Sequence, residues 1–166
     1  NGEKPDALLG VPSHSQSIVR LNLKTGEVVL LPGKLPLPSP RKRKGKFKWL
    51  RGVLAPDGSV FGIPACADCV LRIHPDGAVS TLGRELISTL APGEWMWHGA
   101  AIGRDGNIYA IPANAERVLK IEPATNRVYC IGPTLHAGLT SKWYGGIKAL
   151  DGSIWGMPYN APSALK

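Results

Sequence analysis

The stretch Lys48–Ile73, KWLRGVLAPDGSVFGIPACADCVLRI, returns almost in full at Met96–Ile121 as MWHGAAIGRDGNIYAIPANAERVLKI. A third copy starts at Lys142, KWYGGIKALDGSIWGMPYNAPSALK, and a fourth is already in progress near Ala7 as ALLGVPSHSQSIVRL. Trp49, Trp97 and Trp143 are spaced by 48 and 46 residues, and so are Asp57, Asp105 and Asp151. Pro64, Pro112 and Pro158 repeat the same interval, with Pro12 lying 52 residues before Pro64. Three anchors that keep one spacing without gaps define a repeat, and a repeat of this length dictates architecture before anything else.

Within one copy the pattern is that of short strands. Alternating apolar residues over four to eight positions, bounded by Gly and Pro, mark strands at about 50–55, 59–64, 70–73 and 78–82, here A to D. Pro56-Asp57-Gly58 makes a tight hairpin between A and B, because Pro presets φ, Asp bonds the turn backbone and Gly accepts positive φ. His74-Pro75-Asp76-Gly77 turns C into D. In the next copy C is 118–121 and D is 127–131; near the N-terminus three strands fall at 8–11, 17–23 and 27–31. No repeat holds a 3.6-residue apolar stripe long enough for a packed helix, although 85–90 suits one helical turn. Gly (20) and Pro (15) are abundant while 43% of residues are hydrophobic, which fits many strands and turns.

Four antiparallel strands per repeat predict an all-β fold, a β-propeller with blades of about 46–52 residues, of which about three and a half are present. Residues 1–33 form a partial blade (B–D), 34–47 a basic, proline-rich connection, 48–83 a blade, 84–95 a connection, 96–132 a blade, 133–141 a connection and 142–166 a partial blade (A–B). Gly52, Gly99, Gly145 and Gly146 suit the innermost strand, where neighbouring backbones crowd the channel. The three tryptophans are expected in the packed interior, and His98 is read as a packing residue.

The pattern Trp-x-x-Gly, Asp-Gly-x-(Ile/Val)-aromatic-x-(Ile/Met)-Pro, (Val/Ile)-Leu-(Lys/Arg)-Ile resembles the propeller repeats of protist and algal proteins. More distantly it resembles the NHL, streptogramin-lyase and gluconolactonase group. That resemblance implies a metal held by acidic and Asn side chains around the top of the channel. Asn114 and Asn160, after the strand-B proline, are the residues that carry over; His14 and Cys66 occupy the equivalent positions, and no Asp or Glu completes the set. Cys66 and Cys69 form a lone CxxC, which lacks the four ligands of a zinc site and the helix N-terminus of a redox pair. The expectation is therefore no cofactor and no metal, with Cys66 and Cys69 the weakest candidates. Cys130 is read as a strand residue.

The net charge is +8, and Arg41, Lys42, Arg43, Lys44, Lys46 and Lys48 supply six cations within eight residues. The remaining chain balances 14 basic against 12 acidic residues. A local run of this density, with Phe47 to stack, suits a nucleic-acid backbone or an acidic protein face. Connections D–A and turns B–C belong to one side of a propeller, so this run, His14, Cys66, Asn114 and Asn160 should share one surface.

The reading is a non-catalytic interaction or scaffold module, a subunit or part of a larger assembly, with the basic run on an anionic partner. The alternatives are a metal-dependent lactonase- or lyase-like enzyme and a carbohydrate-binding propeller. An odd cysteine count without a disulfide framework suits an intracellular or organellar compartment. No apolar run of 18 residues predicts a membrane span. Open strand edges and bare blade faces call for other chains, a second copy or further blades of a longer chain, and the 166-residue piece alone is not expected to be a stable monomer.

Overall fold

The repeated Asp-Gly pair builds the same turn three times. Asp57 Oδ1 accepts from the Ser59 amide at 2.9 Å, Asp105 Oδ1 from Asn107 at 3.1 Å, and Asp151 Oδ1 from Ser153 at 2.9 Å. The following glycines, Gly58, Gly106 and Gly152, take φ of 81°, 76° and 82°, which a side chain would resist. A computed structural model of the chain describes residues 6–32, 35, 46–91 and 93–166.

Thirteen strands and one short helix are formed among the described residues. In chain order β1 (Ala7–Gly10), β2 (Val19–Asn22) and β3 (Val28–Leu30) make a three-stranded sheet. The next sheet holds β4 (Trp49–Leu54), β5 (Val60–Pro64), β6 (Val70–Ile73) and β7 (Val79–Leu82). After α1 (Arg84–Ile87) come β8 (Trp97–Ile102), β9 (Ile108–Pro112), β10 (Val118–Glu122) and β11 (Arg127–Ile131). The last pair is β12 (Trp143–Lys148) and β13 (Ile154–Pro158). Every pairing is antiparallel between sequence neighbours, so the second and third sheets are blades with strands A to D in order, and the first and last are partial blades. The last blade extends one position beyond the A–B pair expected for it. Leu165 bridges Gly156 as Leu71 bridges Gly62 and Leu119 bridges Ala110, so Leu165 opens a strand C.

Blades stack because each strand is apolar on the faces that meet. Val53, Phe61, Ile63 and Val70 of the second blade pack with Trp97, Ile108, Leu119 and Ile121 of the third, and Ile87 of α1 closes the same cluster. Leu71, Ile73 and Trp49 pack with Ile18, Leu9 and Val11 of the first. Trp49, Trp97 and Trp143 are all buried, as expected. The residue before each tryptophan joins two blades. The amides of Lys48, Met96 and Lys142 donate at 2.9 Å to the carbonyls of Ser13, Ala65 and Ala113 in the preceding blade, while their own carbonyls accept from Ala65, Ala113 and Tyr159.

The inner strands of the third and fourth blades lie almost in backbone contact. A Cβ on Gly99, at φ 112°, would lie 2.6 Å from the Gly145 backbone, and one on Gly146 would lie 2.8 Å from that of Ala100. Glycine is the residue that permits this approach. No helix among the described residues is long and apolar enough to cross a membrane.

Candidate functional site

Each strand A is entered through a residue in left-handed conformation: Phe47 (φ 55°), Trp95 (51°) and Ser141 (50°). That corner turns its carbonyl to the B–C turn of the same blade, where Cys66, Asn114 and Asn160 donate their amides at 3.0, 2.9 and 3.1 Å. The B–C turns and the D–A entries therefore form one end of the blades. His14 packs edge-on to Phe47, 4.3 Å between ring centroids, and Phe47 stacks at 4.9 Å on Trp95, giving a short aromatic row there.

The asparagines hold backbone. Asn114 Oδ1 accepts from the Ser141 amide at 2.7 Å and its Nδ2 donates to the Glu94 carbonyl at 3.0 Å; Asn160 Nδ2 donates to the Thr140 carbonyl at 3.0 Å. Asn114 thus ties the entry of its own blade to that of the next. Among the described residues no three His, Cys, Asp or Glu side chains converge as a metal set would require. Cys66 and Cys69 are buried rather than displayed on the surface expected for Cys66. Beside them Arg84 pairs with Asp68 and places its second guanidinium nitrogen 3.6 Å from the Cys69 sulfur.

The basic run divides. Arg41, Lys42, Arg43 and Lys44 lie outside the described residues. Lys46 is exposed. Lys48 is only 3% exposed and its Nζ donates to the Ser15 carbonyl at 2.7 Å. Burial pushes its pKa down, and it occupies the column filled by buried Met96 and Lys142. Expecting Lys48 on an anionic partner is therefore corrected: its stem fills the blade interior, and its ammonium is held by a carbonyl.

Two arrangements escaped the sequence reading. On the inner strands His98 stacks against Tyr144 at 4.3 Å, and Tyr144 against exposed Tyr159 at 4.8 Å. His98 Nδ1 is buried with no hydrogen-bond partner in the described structure. Away from this end, a cation on strand C lies over the strand-B aromatic of its blade: Arg72 over Phe61 (5.2 Å), Lys120 over Tyr109 (5.7 Å) and Lys166 over Trp155 (5.1 Å). Arg72 also pairs with Asp57 and reaches the Asn126 side chain and Pro123 carbonyl of the next blade. Lys120 lies 3.9 Å from Asp105. The slight burial of Asp57 opposes ionisation, but the Ser59 hydrogen bonds and Arg72 outweigh it, so its pKa falls below the ordinary value. The (Lys/Arg) and aromatic positions of the repeat carried this signal.

No family profile matches the sequence, and no curated protein does. Solved structures do. A streptogramin B lyase superposes with a TM-score of 0.69 at 14% identity over 95% of this chain and 46% of its own. Virginiamycin B lyase from Staphylococcus aureus gives 0.62 at 17% identity over 92% and 50%, and a gluconolactonase-like protein gives 0.60 at 18% over 96% and 56%. The chain spans about half the length of these neighbours. At such identities the likeness concerns the fold: the chain is a β-propeller repeat protein whose blades are arranged like those of lyase and lactonase-like propellers.

Proposed function

We propose that the chain is a non-catalytic propeller module of a larger assembly, which grips an anionic partner through the basic run at its B–C end. The supporting observation is the division of that run: Lys48 is committed to the blade interior, and exposed Lys46 adjoins the aromatic row His14–Phe47–Trp95. Five cations, Arg41, Lys42, Arg43, Lys44 and Lys46, are then left for the partner. If all five meet phosphates of one strand, log K falls against log salt with a slope of about −3.5. Replacing the five by Ser, with Lys48 kept, removes most of that slope and leaves the melting temperature unchanged. Titrations of a labelled oligonucleotide and of an acidic peptide against both forms are the test. Equal affinity of the two forms for both probes overturns the reading.

The carbohydrate-binding alternative is favoured by one feature, the stack of His98, Tyr144 and exposed Tyr159, since aromatic faces suit sugar rings. It predicts a fluorescence change with oligosaccharides that Tyr159→Ala abolishes. The lyase- or lactonase-like alternative has the names of the structural neighbours behind it, but one of the asparagine oxygens it needs, Asn114 Oδ1, is taken by the Ser141 amide.

A further inference from the structure

The left-handed corner that opens each strand A carries a different side chain in each blade. In the last blade it is Ser141, whereas in the second and third it is Phe47 and Trp95, at φ 55° and 51°. Bulky residues adopt this conformation rarely, and backbone held there against its preference concentrates at functional sites. A serine meets the structural need of the corner. The two aromatic rings call for another reason.

The second residue after the strand-B proline reaches from its blade to the corner of the next. Asn114 does so through Oδ1 on the Ser141 amide, and His14 through its ring on Phe47. Phe47 in turn meets Trp95, so rings from three successive blades lie side by side, their centroids 4.3 and 4.9 Å apart. Backbone holds them there. Lys48 clamps the turn that bears His14, its amide donating to the Ser13 carbonyl at 2.9 Å and its Nζ to the Ser15 carbonyl at 2.7 Å. The carbonyls of Phe47 and Trp95 accept from the Cys66 and Asn114 amides. His14 is exposed, Phe47 and Trp95 are half-buried, and exposed Lys46 adjoins Phe47 in the chain. The buried lysine of the basic run thus positions a row that the exposed one flanks.

Rings fixed in a row at the border of a cationic segment suit a single strand of nucleic acid. Its phosphates meet the cations while its unpaired bases lay their faces on aromatic side chains, histidine included. An acidic peptide engages the cations through carboxylates and gives the rings no planar partner. A duplex keeps its bases stacked on one another. We infer that the anionic partner is a single-stranded nucleic acid, whose bases stack on the row that begins at His14. This rests on the anionic-partner reading above and names the class of that partner.

The test uses fluorescence anisotropy with the 166-residue chain. A labelled single-stranded oligonucleotide is compared with an abasic strand of equal length, which keeps the phosphates and lacks the bases. The oligonucleotide is expected to bind about tenfold more tightly. His14→Ala, a change at an exposed side chain, should remove most of that advantage, and His14→Phe should restore it, because a ring rather than a charge is needed. Thermal melts check that both variants are folded. An abasic strand bound as tightly as the oligonucleotide overturns the inference and leaves an anionic partner of another kind. So does tighter binding of a duplex or of an acidic peptide of equal charge, or a His14→Ala variant that keeps the full advantage of the bases. Failure of the anionic-partner reading shows separately: replacing the five cations by Ser then leaves the affinity for both strands unchanged. Absence of binding to either strand overturns the inference as well.

Discussion

The indole Nε1 of Trp97 donates to the carbonyl of Arg117, 3.0 Å away and twenty residues downstream. Trp49 does the same to Cys69 at 2.8 Å and Trp143 to Ser163 at 2.7 Å, each twenty residues on. One side chain per blade thus fills the space behind strand A and fastens the end of the B–C turn. Trp97→Ala is expected to cost about 3–5 kcal/mol through the cavity it leaves. Trp97→Phe keeps most of the volume but strands the Arg117 carbonyl, for about 1–2 kcal/mol. Urea denaturation of the two variants separates the contributions.

Lys142 is the clearest case of a cation in the wrong medium. It is fully buried, its Nζ donates to the Leu139 carbonyl at 3.1 Å, and burial lowers its pKa. The repeat itself offers the replacement, because Met96 holds the same column. Lys142→Met should stay within about 1 kcal/mol of wild type at neutral pH. For a lysine with a depressed folded pKa, deprotonation favours the native state. Wild type should therefore gain on the variant as pH rises from the depressed value towards the ordinary one, and melts from neutral to alkaline pH will show it.

Gly146 and Gly10 make a matched pair. Neither needs positive φ, but a Cβ at Gly146 would press on the Ala100 backbone at 2.8 Å, whereas at Gly10 its nearest contact is an ordinary 3.5 Å. Gly146→Ala should cost about 1–3 kcal/mol, since backbone cannot rotate aside. Gly10→Ala should change stability by no more than about 0.5 kcal/mol. Thermal melts of both decide.

Asp57 titrates on the acid side. Its folded pKa lies below the ordinary carboxylate value, so the stability it contributes is complete above that value and is lost as pH falls through the folded one. Unfolding followed from pH 5 downwards to about pH 2 should have a shallower acid limb in Asp57→Asn than in wild type. At neutral pH that variant should also be weaker, because Arg72 keeps its charge in a largely buried place without its carboxylate.

Much of this was open to a reader of the sequence. Tryptophan, Asp-Gly and proline act through contacts within one repeat, so their spacing was enough to place strands, turns and the buried indoles. Lys48 was misread because it adjoins the basic run. Its burial depends on a column that also holds Met96, and the comparison of columns was the missed signal. The roles of Asn114, Tyr144 and Arg72 depend on neighbouring blades: the Ser141 amide, the His98 ring and the Pro123 carbonyl. A repeat pattern shows that such residues recur without showing what they face.

The backbone link through Lys48, Met96 and Lys142 joins each blade only to its predecessor. Fastened this way, the blades behave as a row of nearest-neighbour units, each steadied by the blades beside it. Amide hydrogen exchange should record this as a gradient. Met96, linked to Ala65 on one side and Ala113 on the other and set in the middle of the array, should exchange most slowly of the three. Lys48 and Lys142, whose links reach the three-stranded first sheet and the β12–β13 pair, should be the earlier clocks.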